Sequence, residues 1–224
     1  MMQLSHRSYT NGEFFRPKPQ IVERAESGLL VVATAWGGAE ASQRACNTIV
    51  EQFELLSGED LTTPFESLPS VSPAANRLRI GALLANQQIL KGDNAKIWKS
   101  AVELAAFHMK HGVLSWVQIG NPTLLLKDEK YLHPLAYEMD WGIQSGNEGP
   151  LFSQALGLDR QIPLRVGSCR VPPGSELLLI SRNSIPGDLF QLNTLELDEV
   201  FQVLVNDNPR SPFWLGLAHQ NNPL

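Results

Sequence analysis

The stretch Leu29–Gly38, LLVVATAWGG, constrains this chain most. It is an apolar, β-branched run that stops at two glycines, and such a run bounded by glycine predicts a buried strand. Beyond it Ala41, Ala45, Ile49, Val50, Phe53 and Leu56 recur at helical spacing, so the unit is strand, tight turn, helix. Gly37 and Gly38 let the backbone turn without a Cβ clash and leave room for a ligand to approach the peptide groups. No phosphate loop follows, because the spacing G-x-x-x-x-G-K-[ST] is absent.

A chain of 224 residues can bury a large core, and the expectation is one domain spanning residues 1–224. Hydrophobic residues make up 43% and charged ones 18%, a globular rather than a disordered balance. The formal charge of −5 argues against a general nucleic-acid binder, which needs a basic surface for phosphates. The first fifteen residues lack an apolar signal-peptide core, and no window approaches the roughly 18 apolar residues of a spanning helix. A cytoplasmic protein without a membrane partner is therefore expected. Cys46 and Cys169 are far apart, and the five histidines form no metal-binding pair, so nothing points to zinc.

Taken in order, Ile21–Glu23 predicts an edge strand. Ser72-Pro73 is a helix cap followed by the proline that suits a first helical position, and the helix it opens should end at Gly92 and Asp93. The segments AVELAAFHM and VLSWVQI predict strands joined through Lys110–Gly112. Thr123–Leu126 and Tyr131–Leu135 extend them into an antiparallel meander. Trp141–Pro150 is a glycine-rich loop, and Phe152–Leu156 is expected to form a helical turn. Glu176–Ile180 predicts another central strand. A helix from about Thr194 to Leu204 should carry Leu197, Val200, Phe201 and Leu204 on one face, with acidic residues at its positive end. Phe213–Ala218 predicts a closing strand.

Several of these segments, in this order, resemble the metal-dependent serine/threonine phosphatases of type 2C. The family pattern R-x-x-N-E-D is similar to Arg7–Gly12, and V-A-D-G-M-G-G is similar to Val32–Gly38. The strand end v-G-D-S-R resembles Ile119–Thr123, and a-L-G followed by L-L-L-x-S-D-G resembles Ala155–Gly157 and Leu177–Asn183. The closing D-N-x-T is similar to Asp207–Arg210. The resemblance implies an α+β fold, a four-layer α-β-β-α sandwich of two antiparallel sheets flanked by helices.

In that family, aspartates at the strand ends hold two divalent metals, usually magnesium or manganese, which activate a water for attack on a phosphoester. Hard cations of this kind require oxygen ligands, preferably carboxylates. At the corresponding positions this sequence has Gly12, Thr34 (followed by Ala35), Asn121 and Arg182, and among the main carboxylates only Asp207 remains. Glu13 or Asn206 could make good one loss by a small shift of alignment, but not three. The cation of Arg182 would be repelled by a divalent ion, whereas beside Asp207 it would form a charge-assisted pair. Arg7 matches the family arginine that contacts substrate phosphate.

The expectation is thus a catalytically impaired or inactive phosphatase-like domain, acting as a regulatory or binding module for a phosphoprotein or signalling protein. No catalytic residue and no cofactor are expected. Two alternatives compete with it. One is an active phosphatase with a rearranged site using magnesium or manganese, and the other is a structural assembly subunit.

Overall fold

The computed structural model describes residues 2–12, 14–56, 64–137, 154–182 and 184–220. In chain order the strands are β1 (Met2–Tyr9), β2 (Gln20–Arg24), β3 (Leu29–Trp36), β4 (Ala101–Lys110), β5 (Val113–Ile119), β6 (Thr123–Lys127), β7 (Leu132–Ala136), β8 (Arg165–Arg170), β9 (Glu176–Ser181) and β10 (Phe213–Gln220). The α-helices are α1 (Glu40–Leu55), α2 (Pro73–Lys91) and α3 (Leu197–Asp207), with a 3-10 helix at Gly187–Gln191. The strands form two five-stranded sheets, ordered β1-β10-β9-β6-β7 and β2-β3-β4-β5-β8, and every pairing within them is antiparallel. The two antiparallel sheets and the helices are those the resemblance implied. Each sheet lies in one of two compact units, Met1–Lys18 with Asn121–Ser153 and Val171–Leu224, and Pro19–Gly120 with Gln154–Arg170.

In the second unit, β3 is apolar along its length because both of its faces are buried. Leu29, Val31, Ala33 and Ala35 join Val102, Leu104 and Ala106 of β4 in a core with Ala45, Ile49 and Phe53 of α1 and Leu78, Ala82 and Ile89 of α2. Truncating Ile49 there to alanine would cost about 2–5 kcal/mol through lost burial and the cavity left behind. The Gly37 turn is forced by space as well as by φ. Gly37 has φ +100°, and a Cβ on it would stand 1.9 Å from the Lys99 carbonyl oxygen. Helix α2 begins as the sequence predicts, with Ser72 Oγ accepting the Ala75 N–H at 3.2 Å, and Gly92 is its C-cap.

In the first unit β9 is the middle strand, and its Leu178 and Ile180 pack with Leu215 and Leu217 of β10 and with Val200 and Leu204 of α3. Helix α3 is amphipathic as expected but starts at Leu197, three positions later than the sequence pattern suggested. Asp198 and Glu199 stand in its first turn, where the helix dipole favours carboxylates.

Three expectations need correction. β4 to β7 are not one meander, because β4 and β5 belong to one sheet and β6 and β7 to the other. Leu156 does not sit in a helical turn. Its backbone exchanges hydrogen bonds with Val102, donating at 2.9 Å and accepting at 3.0 Å. Strands β1 and β8 were not anticipated at all. Phe152 and the loop Trp141–Pro150 lie outside the described residues, as does Glu13.

Candidate functional site

Arg182 follows the last residue of β9, and Asp207 is the last residue of α3, so the antiparallel sheet and the helix packed on it deliver both to one place. Arg182 Nη2 lies 2.9 Å from Asp207 Oδ2, with the arginine side chain fully buried and the carboxylate 38% exposed. The same nitrogen donates to the Asn208 carbonyl at 3.4 Å, and the guanidinium sits 5.9 Å from the centroid of the Phe213 ring. Nε and Nη1 find no hydrogen-bond partner among the described residues. Burial lowers the Arg182 pKa from its usual value, and Asp207 pulls it back up.

Arg7, on β1, is directed to α3. Its Nη1 is paired with Asp198, and its guanidinium lies 4.0 Å from the centroid of the Phe201 ring. Both partners are on α3, and the Asp198 side chain is 83% exposed, so the ion pair is a solvated one. Gly12, in the same unit, has φ +86° and no atom within 4 Å of a Cβ built on it. Asn121 is buried at 5% exposure just before β6.

Thr34 and Ala35 belong to the second unit. Ala35 faces the helix-side core, while Thr34, 1% exposed, lies on the opposite face of β3. Directly across from Thr34 in the β3–β4 register is Glu103, also 1% exposed. Trp36 Nε1 donates to Glu103 Oε2 at 3.0 Å. The Glu103 stem packs so closely under Gly120 that a Cβ there would stand 2.9 Å from Glu103 Cγ, and Gly120 has φ +67°. Gln118, on the same face one pair further along, donates to the Gly120 carbonyl. Sequence reasoning missed Glu103. The available signal was one acid inside an otherwise apolar strand, AVELAAFHM, where an ionisable group is costly unless it is held.

The residues that the sequence resemblance sets against the family's metal-binding aspartates supply few oxygen donors of the kind hard cations take. Gly12 offers no side chain, Thr34 and Asn121 are neutral, Arg182 is a cation, and the Asp207 carboxylate already accepts from Arg182. Among the described residues, no group of three or more His, Cys, Asp or Glu is placed to hold a metal ion. No helix of the described residues is long and apolar enough to cross a membrane.

This is the fold of the PPM-type serine/threonine phosphatases, as comparison with solved structures shows. The Mycobacterium tuberculosis serine/threonine phosphatase PstP/Ppp matches with a TM-score of 0.68 at 15% identity, covering 99% of this chain and 99% of that one. PppA, described as a key regulatory component of T6SS in Pseudomonas aeruginosa, matches with a TM-score of 0.67 at 16% identity, covering 97% and 96%. The catalytic domain of PstP in complex with 2 manganese ions matches with a TM-score of 0.64 at 16% identity, covering 97% of each chain. No family model matches the sequence, and no curated protein matches it. At these identities the likeness establishes the fold. It also corrects the expectation that no cofactor belongs here. A structure of the same fold holds 2 manganese ions, so the fold accommodates divalent metal.

Proposed function

We propose that this chain is a phosphatase-like domain of protein phosphorylation signalling in which phosphoester hydrolysis is strongly impaired, and that it acts by binding a phosphoprotein or another signalling protein. The observation that carries this reading is the Arg182–Asp207 pair, which engages the one carboxylate retained at the family's stations. Hydrolysis in this fold class depends on a water activated by cations that carboxylates hold. A guanidinium bonded to Asp207 competes for that carboxylate. Arg7 is held toward α3 by its solvated pair with Asp198, which a phosphate at the same nitrogen would have to compete with.

The test is hydrolysis of p-nitrophenyl phosphate and of a phosphoserine peptide, with manganese, with magnesium and with neither. The expected rate is at least about a thousandfold below that of an active phosphatase of this fold assayed beside it, a barrier difference of about 4 kcal/mol. Metal-dependent turnover within about tenfold of that enzyme would overturn the reading.

One observation favours a second reading, that of an active metal-dependent serine/threonine phosphatase with a rearranged site. Glu103 is a buried carboxylate directly opposite Thr34, the position where the family has an aspartate. In that reading Glu103 takes over the role that Thr34 cannot perform. Glu103→Gln would then abolish a measurable phosphatase activity, whereas in the favoured reading there is none to abolish.

A further inference from the structure

Two buried asparagines, one near the C-terminal end of α2 and one just beyond it, hold two surface loops in place. Asn86 accepts the Gly157 N–H at 2.7 Å through Oδ1 and donates through Nδ2 to the Asp159 carbonyl at 2.9 Å. Asn94 donates to the carbonyls of Ser100 and Gly157, both at 2.7 Å, and accepts the N–H groups of Lys99 at 2.8 Å and Ser100 at 3.0 Å. These bonds close residues 95–98 into a loop fastened at both ends. At its tip Ile97 is 64% exposed and Trp98 77% exposed. An adjacent isoleucine and tryptophan displayed on a firmly held loop are the composition of an interface anchor rather than of a solvated turn.

Beside this loop, Gln87, Leu90, Lys91, Asn94, Ala95 and Arg160 line an open cleft of about 590 Å³. Lys91 and Arg160 are exposed and form no ion pair within the described residues, and the same holds for Lys96 and Lys99, which flank Ile97 and Trp98. Of the two neighbouring acids, Asp93 is paired with a cation, and Asp159 keeps its charge, so among the described residues four cations face one unpaired carboxylate. Both oxygens of Asp93 accept from Arg44 at 2.5 Å, and Asp159 Oδ1 accepts the Gln161 N–H at 3.2 Å. On a chain of net charge −5 this is a local surplus of cations next to exposed apolar surface. The complement of that pattern is a peptide with several carboxylates and one large apolar side chain.

We propose that this surface of the second unit docks an acidic peptide segment of a partner protein. Its carboxylates sit at Lys91 and Arg160 in the cleft, and an apolar residue packs on Ile97 and Trp98. The surface is independent of hydrolysis, so it stands whether or not the chain turns over a phosphoester. The cleft is held by Asn86 and Asn94 before any partner arrives, which lowers the ordering cost of binding.

The test is selection of a random dodecapeptide display library on the full chain, followed by fluorescence anisotropy with the enriched peptides made synthetically. Trp98→Ala and the double variant Lys91→Glu/Arg160→Glu serve as comparisons. All three side chains are exposed, and an unchanged thermal midpoint checks that the variants are folded. The expected peptides carry at least two Asp or Glu and one aromatic or large aliphatic residue. Their affinity should fall at least about tenfold in each variant, and in the wild type as salt is raised from about 50 to about 300 mM. Failure to enrich any peptide, enriched peptides without acidic residues, or affinities that neither variant changes would overturn the proposal. A concentration-dependent dimer abolished by Trp98→Ala would overturn it too, by making a second copy of the chain the occupant.

Discussion

Arg182 and Asp207 form an unequal pair, with Nη2 and Oδ2 2.9 Å apart, the cation fully buried and the carboxylate 38% exposed. Their interaction therefore cannot be divided evenly between the two residues. The guanidinium carries the desolvation cost, and Asp207 is what makes its burial tolerable.

The two single substitutions should accordingly differ. Asp207→Asn leaves a buried cation short of its counter-charge and should cost about 1–2 kcal/mol, after discounting for a carboxylate more than a third exposed. Arg182→Met removes a buried charge whose Nε and Nη1 are unpartnered, and it frees Asp207 to water, so its effect should stay within about 1 kcal/mol of neutral. Urea denaturation of both variants and of the double variant checks this. Equal, strictly additive losses would contradict the pair.

Gly37→Ala should destabilise the second unit by at least about 3 kcal/mol, because it combines a left-handed backbone penalty with a collision against backbone. The collision is with the Lys99 carbonyl oxygen, 1.9 Å from the added Cβ, and backbone cannot rotate away as a side chain can. A midpoint shift below that of an ordinary surface substitution would show that the turn is more pliable than this.

How far the sequence foretold this arrangement depended on how strongly each segment is buried. Strand β3, with both faces in the core, and α2, with Ser72 and Pro73 at its start, were legible because burial and capping leave unambiguous residue choices. β1 and β8 were not, since both are edge strands whose largely exposed faces carry residues such as Ser5, His6, Arg7, Ser168 and Arg170 without clean alternation. The meander failed for another reason. The Gly120–Asn121 turn sends the chain from one sheet to the other, and local spacing does not encode that choice. At the site, the Arg182–Asp207 contact could be anticipated from opposite charges at two aligned stations. Glu103 opposite Thr34 could not, because its partner strand is specified only by register.

Asp128 should titrate near pH 2. Its carboxylate accepts the backbone N–H groups of Tyr131 at 2.6 Å and Lys130 at 2.8 Å and meets His133 Nε2 at 2.8 Å, which lowers its pKa from 3.8 to about 2. A folded value below the unfolded one means that its stabilising contribution is present above pH 3.8 and is lost as the pH falls through about 2. Carboxyl chemical shifts followed by NMR give the pKa directly. In Asp128→Asn the acid limb of stability should be shallower in that window, and a normal carboxylate pKa would refute the turn geometry.

Of the two thiols, only Cys169 should react in the native protein. Cys46 is buried in the helix-side core, and burial pushes its pKa up to about 12, so almost no thiolate forms at pH 8. Cys169 is half-buried on β8, and its pKa is raised by burial as well, so its reaction should be slow. Titration with a disulfide reagent should count one thiol in buffer and two in denaturant. Two fast thiols in buffer would contradict the packing of α1 against β3.

The proposal that hydrolysis is impaired by the residues the sequence resemblance sets at the carboxylate positions is tested by comparing two proteins in one assay. Manganese-dependent hydrolysis of p-nitrophenyl phosphate is measured for the wild type and for the triple variant Gly12→Asp/Thr34→Asp/Arg182→Asp. The first of these substitutions carries a backbone strain of about 1 kcal/mol, since residue 12 has φ +86°. The expected outcome is a wild-type rate within about tenfold of the buffer background and a rate at least about a hundredfold higher for the triple variant, with Arg182→Asp alone giving no gain. A wild-type rate equal to or above that of the triple variant would contradict it.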